Sequence, residues 1–258
     1  MKKLKEHVED LNNITTKIKN REKFKLNLSI ILPLLNFMKT NNLIDNEEFN
    51  MIINNKSLRI KELKYFEFNN YSPVAEKIDE YLASFTDDAF KLLPTDIDIQ
   101  GIEYLLYEIL VNVYKHSKFE NAYLQLIFHD ESQNIEICIF DNGIGIPESF
   151  KEASMDSEND CEAIFEAING KTTDTEKYGL HGRGLNSAAR LTTLGFNGEM
   201  LIASGNGVCS ITKEGAKPYL NDHEINGTFV ILRLKNRHVD DIYKYLEPKN
   251  INKVDEND

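Results

Sequence analysis

Glu108-Ile109-Leu110-Val111-Asn112-Val113-Tyr114-Lys115-His116-Ser117 closes a stretch, residues 99–117, whose apolar positions Ile102, Leu105, Leu106, Ile109, Leu110 and Val113 recur at helical spacing. Glu108, Asn112 and His116 follow one another every four residues, so they share one stripe beside the apolar face. A carboxylate and a carboxamide one turn apart can hold a water and a divalent cation together. The amide oxygen suits Mg²⁺, and the carboxylate suits general-base work on water. Taken alone, the triplet equally describes the solvated flank of a helix.

Downstream of this helix, residues 122–128 and 135–140 read as the two strands of a hairpin around the polar turn 130–134. The second strand runs directly into Asp141-Asn142-Gly143-Ile144-Gly145-Ile146-Pro147. An Asp at the end of a buried strand is placed to accept a hydrogen bond from an exocyclic amine such as that of adenine, and Gly143 and Gly145 let backbone approach a ligand. As a lone feature it is also an ordinary glycine turn. Residues 148–178 carry nine acids and three lysines and read as a loose stretch. Gly179-Leu180-His181-Gly182-Arg183-Gly184-Leu185 then runs into a helix over 184–194, and exposed N–H groups at such a start make an anion site. It lacks the Gly-Lys-Ser/Thr of a Walker A loop, and no strand leads into it as in a dinucleotide fingerprint. Residues 198–203, 208–212 and 228–234 read as three closing strands, the last opened by Gly227-Thr228-Phe229-Val230.

Upstream, Leu4, Val8, Leu11, Ile14 and Ile18 form a helical stripe within residues 2–25. A second apolar stretch covers 26–40, and Asp45 or Asn46 caps a short helix over 47–54. Residues 63–68 read as a strand, and Ser72-Pro73 starts a helix to about residue 85. The tail from Pro248 is polar and expected to fray.

Composition narrows the class. The 258 residues are 41% hydrophobic and 28% charged, which excludes a wholly disordered chain, a collagen-like chain and a membrane bundle. The apolar run 28–38 is interrupted by Pro33 and too short to span a bilayer, and charged residues follow Met1-Lys2-Lys3 where a signal peptide would be apolar. The expectation is a cytoplasmic protein that uses no membrane. Cys138, Cys161 and Cys209 are scattered, with no CxxC pair, and are expected as apolar filler. The net charge of −12 divides unevenly: residues 1–59 hold 11 Lys+Arg against 7 Asp+Glu, the rest 19 against 35. Nucleic acid is therefore not an expected partner.

In this order the four stretches resemble the GHKL, or Bergerat-fold, ATPases: histidine kinases, anti-sigma-factor serine kinases, gyrase-type topoisomerases, Hsp90 and MutL. Residues 108–117 are similar to their N box, 141–147 to G1, 179–185 to G2 and 227–230 to G3. The look is closest to the anti-sigma-factor and sensor kinase ATPase domains. The resemblance implies an α/β two-layer sandwich with a mixed, mostly antiparallel sheet and helices on one face. A helical region (1–59) would precede the ATPase domain (60–247), and a polar tail (248–258) would follow it. It implies ATP and Mg²⁺ as cofactors, Asn112 on the metal, Asp141 on the adenine amine with Thr228 supporting it, and Gly143 and Gly145 shaping the pocket. Gly182, Arg183, Gly184 and Leu185 would wrap the phosphates, with Lys115 and His116 facing them, Glu108 as the base, and 148–178 as a mobile lid. A phosphoacceptor histidine is not recognisable: only His7 precedes residue 100, and Val8 follows it. The function expected is ATP hydrolysis or γ-phosphate transfer to a protein partner in signalling or regulation, with a second copy of the chain as one candidate partner. The alternative is a non-catalytic module in which ATP gates protein interaction.

Overall fold

Burial on both sides of the central strand decides how the molecule is layered. The computed structural model describes residues 3–20, 28–55, 60–63, 78, 82–83, 93, 96–129, 131–173, 184–235 and 238–254. Along them run α1 (Lys5–Lys19), a 3₁₀ turn (Leu28–Ile30), α2 (Ile31–Thr40), α3 (Asn46–Ile53), β1 (Ile60–Leu63) and α4 (Ile99–His116). There follow β2 (Ala122–His129), β3 (Asn134–Asp141), α5 (Gly145–Glu152), α6 (Asp160–Ile168), and α7 (Gly184–Arg190) continued by a π turn (Leu191–Gly195). β4 (Glu199–Thr212), β5 (Gly215–Leu234) and α8 (Tyr243–Leu246) complete the order. The strands form one sheet, β1-β2-β3-β5-β4, antiparallel at every junction.

All eight residues of β3 are buried. Ile135, Ile137 and Ile139 enter one core with α4, α6 and α7; Cys138 and Phe140 enter a second with α1, α2 and α3. A strand covered on both faces loses polar alternation, which is why this one reads as a near-continuous apolar run. The α/β sandwich carries its site helices on the first face, as expected, and the N-terminal helices close the second. Val8, Leu11 and Ile14 of α1, and Leu4 just before it, are each at most 6% exposed. Fully burying a side chain of this kind stabilises by about 1.5–3 kcal/mol, so this layer is integral to the second core.

That second core holds a buried charge cluster. Arg233 Nε donates to Glu136 Oε1 (2.8 Å), Ser29 donates to Glu136 Oε2 (2.5 Å), and His7 Nε2 lies 3.1 Å from Arg233. Arg233 also reaches Glu199 (3.2 Å), and His129 Nε2 stands 3.2 Å from Glu136 Oε2. Burial pushes the Glu136 carboxyl up, but His129, Arg233 and Ser29 outweigh it and hold the group at about 2.

Several expectations are corrected. The stretch 148–178 is not loose over its described part, because α5 and α6 form there. Asn159 caps α6 by accepting from Glu162 N (3.0 Å), and Cys161, Ile164 and Ile168 supply its buried face. Residues 174–178 lie outside the described residues. The three closing strands are two long ones. The break between the first two predicted strands, residues 204–207, lies inside β4 as a bulge, seated where Asn206 N donates to Asp160 (2.8 Å). The first strand is Ile60–Leu63; residues 64–68 lie outside the described residues, as does most of the 71–85 helix, of which Ile78, Leu82 and Ala83 are helical. The tail does not fray as far as Val254: Ala216 N donates to Asn252 O (2.8 Å) and Val254 N to Ala216 O (2.9 Å). The capping of α3 by Asp45, in a capping box with Glu48, matches the expectation. All three cysteines are buried and free. Among the described residues no helix is long and apolar enough to cross a membrane.

Candidate functional site

The cleft opens on the first face, between α4, the turn after β3, and the start of α7. It encloses about 1110 Å³ including its open mouth, room for a nucleotide-sized ligand. Its lining includes the sheet residues Ile139, Ile202 and Val230, the helix residues Ile109, Ile146 and Leu185, and a small set of polar groups.

Asp141 ends β3 opposite Thr228 of β5 and is 2% exposed. Its Oδ1 accepts from Gly143 N (3.0 Å). Burial raises the carboxyl to about 7, against the pull of the Gly143 backbone donor, the Ser117 side chain and the Thr228 backbone donor. The following turn is stitched to the end of α4: Ile144 N donates to Ser117 O (2.7 Å), and Asn142 Oδ1 accepts from Asn121 N (2.7 Å) and Glu120 N (3.1 Å). Gly143 passes so close that a Cβ there would collide with the Ser117 carbonyl. Gly145, at φ 77°, opens α5 and lines the cleft.

Glu108, Asn112, Lys115 and His116 lie along one wall, as their spacing predicts. Desolvation raises the Glu108 carboxyl, and the Tyr104 hydroxyl and the Lys115 charge oppose that rise. Gly184, at the first turn of α7, backs directly onto Glu108 Oε2, where any Cβ would collide. Asn112 Nδ2 is buried and has no hydrogen-bond partner among the described residues, at the wall of the cleft. His116 Nδ1 is 3.0 Å from Thr173 Oγ1. Leu185 and Thr228 also line the cleft, while Gly182 and Arg183, with His181, lie outside the described residues.

Two cleft residues, Lys171 and Thr173, and one buried residue behind the cleft, Ser204, escape sequence reasoning. Ser204, 0% exposed, accepts from Ile146 N (2.9 Å) and donates to Gly227 O (2.7 Å), tying the Gly145 turn to the start of the Thr228 stretch. One serine at a strand end carries no signal of this. Thr173 and Lys171 fall in the stretch read as loose; Lys171 is held by Glu166 (2.7 Å) and the Asp156 carbonyl (3.0 Å) at the cleft wall.

Among the described residues no group of three or more His, Cys, Asp or Glu is arranged to hold a metal ion. A cation here would be held by Asn112 together with oxygens of a bound ligand, which suits Mg²⁺ and its habit of sharing substrate phosphates. Asn112 Oδ1 would be the metal's protein ligand, while Nδ2, a donor without a partner among the described residues, suits a phosphate oxygen of the same ligand beside the glycines of the lining.

The arrangement defines an ATP-binding α/β sandwich, and comparison with known proteins agrees. The profile of the histidine kinase-, DNA gyrase B- and HSP90-like ATPase family matches residues 97–238, more than half of the chain. The chain belongs to this family, and ATP binding comes with that membership. No curated protein matches the sequence. Among solved structures the chain matches the histidine kinase domain of the Erythrobacter litoralis EL346 blue-light activated histidine kinase. The identity is 10% and the TM-score 0.30, over 94% of this chain and 100% of that one, an overlap too loose to carry argument.

Proposed function

We propose that the chain binds Mg²⁺-ATP in this cleft and hydrolyses it, or passes its γ-phosphate to a protein partner in signalling. The observation that carries the reading is convergence: Glu108, Asn112, Asp141, Gly184 and Thr228, drawn from four separate stretches, line one cleft. Asp141 takes the adenine amine on the carboxylate oxygen that Gly143 leaves open, with Thr228 beside it. Asn112 would hold Mg²⁺, Lys115 and His116 face the phosphates, and Gly182, Arg183, Gly184 and Leu185 take up the phosphates with them. Mg²⁺ supplies charge neutralisation across the phosphates. Glu108 takes the proton of the attacking water as its oxygen bonds to the γ-phosphorus and the bond to the bridging oxygen breaks, leaving ADP and phosphate. In transfer, a partner hydroxyl or imidazole replaces the water.

The experiment follows release and transfer of labelled γ-phosphate, with and without co-purifying proteins, beside thermal unfolding with nucleotide. ATP at a hundred times its dissociation constant should stabilise the chain by about 2.7 kcal/mol. Stabilisation without release or transfer would favour a module in which ATP gates protein interaction.

A further inference from the structure

The end of the chain makes contacts that the cleft alone does not require. Asn186, 2% exposed, lies in the first turn of α7, two residues past Gly184. Its Nδ2 donates to Ile168 O (3.0 Å) and Lys249 O (3.0 Å), and its Oδ1 accepts from Lys249 N (3.1 Å). Asn169, directly after α6, repeats the pattern on Ile251: Nδ2 donates to the carbonyl (3.2 Å) and Oδ1 accepts from the N–H (2.8 Å). Two carboxamides thus pair with the backbone of residues 249 and 251, at the points where the chain leaves α6 and enters α7. Arg190, the last residue of α7, donates to the carbonyls of Tyr245 (3.1 Å) and Glu247. The same segment is anchored to β5 through Ala216.

From Asn186 the contacts run on to the base. Ser187 Oγ donates to Gly184 O (3.0 Å) and lies 2.8 Å from the Tyr104 hydroxyl, which hydrogen-bonds Glu108. A displacement of the first turn of α7 therefore moves Gly184, which backs onto Glu108, and Ser187, which bonds the Tyr104 hydroxyl beside Glu108. None of residues 244–254 lines the cleft, and Asp141 and Thr228 stand at its sheet end.

We propose that residues 244–254 form a positioning strap that, through Asn186 and Asn169, sets the first turn of α7 against Glu108 and so governs turnover without governing nucleotide affinity. This rests on the reading of Glu108 as the base.

The test uses the full chain with Asn169→Ala, Asn186→Asp and both together. Asn169→Ala carries the test if Asn186→Asp does not fold, because Asn169 touches the strap and α6 but not Glu108. Each single variant should lower kcat on the order of tenfold to a hundredfold, the cost of a small misplacement at a reacting centre. Affinity for the β,γ-imido analogue of ATP, measured by calorimetry, should be unchanged. The acid limb of the kcat–pH profile should shift, and the double variant should lose no more than the worse single, since both act through one element. Unchanged kcat and pH profile in folded variants would overturn the strap alone. Parallel loss of analogue binding would reduce its role to general stability and overturn it too. If wild type neither hydrolyses nor transfers phosphate, the base reading fails. Hydrogen exchange then decides the strap separately: faster exchange at residues 184–187 in Asn169→Ala supports it, and unchanged exchange overturns it.

Discussion

Glu136 and Asp141 lie five residues apart on β3, at 1% and 2% exposure, yet their carboxyls are driven in opposite directions. Glu136 faces the N-terminal helices, where Arg233, Ser29 and His129 hold it at about 2; Asp141 faces the cleft, where burial takes it to about 7. The folded chain sets charged partners around the first acid and only neutral donors, from Gly143, Ser117 and Thr228, around the second, and these do not offset burial. The sign of the pH dependence follows. Glu136 contributes stability that is present above its ordinary pKa and lost as pH falls toward 2. Asp141 holds its proton in the native state between its ordinary 3.8 and about 7, so its contribution is full below 3.8 and declines as pH rises through 7. Near neutral pH the ligand-free group is divided between acid and carboxylate, and a donor such as an amine favours the carboxylate.

The contrast is broken most severely at Glu136. Glu136→Gln leaves Arg233 buried without its main counter-charge and should lower the unfolding free energy by about 3–5 kcal/mol in urea titrations. The folded fraction should bind nucleotide with unchanged affinity; weakened binding would mean that the two faces are coupled. Glu108→Gln should reduce turnover by about 10²–10⁴ and leave nucleotide-induced stabilisation intact, read from phosphate release beside thermal unfolding. A mutant rate equal to wild type would remove Glu108 from the chemistry. Asp141→Asn swaps an acceptor for a group that presents a donor to the adenine amine. It should cost about 1–3 kcal/mol of ATP affinity, while stability without ligand at pH 8 stays level or rises. Ser204→Ala sharpens the comparison at its weakest point: losing the link between the Gly145 turn and Gly227 should cost about 1 kcal/mol of affinity in calorimetry.

How much of this was legible follows from what each segment packs against. Helix α4 and the β2–β3 hairpin read correctly because their periods are local and their caps and turns carry their own signals, as with Asp98, which accepts from Gly101 N (2.9 Å). Most of the cleft was legible for the same reason, since Glu108, Asn112 and His116 share a helical stripe. What escaped depends on distant partners. Residues 204–207 read as a break between strands until Asp160 seats them as a bulge within β4. Pro218 lies within β5, where Cys209 pairs with it across the ladder. Glu136 and Arg233 are single charges in separate strands, and only their register opposite one another, Glu136 beside Arg233 across β3 and β5, reveals the pair. The N-terminal stripe predicted a helix needing a surface but not that the surface is the second face of the sheet. The tail looked polar because it exchanges backbone hydrogen bonds with Asn169 and Asn186 rather than burying side chains.

That Asp141 is surrounded by neutral donors alone, so that a further donor from a ligand lowers its carboxyl, is open to direct test. It is tested by following the Asp141 carboxyl carbon by ¹³C NMR through pH 4–9, with and without Mg²⁺-ATP. The account predicts a midpoint near 7 in the free chain and a clear fall on nucleotide binding, with ATP affinity rising as pH rises through that midpoint. A midpoint near the ordinary 3.8 in the free chain, or one that ATP leaves in place, would contradict it.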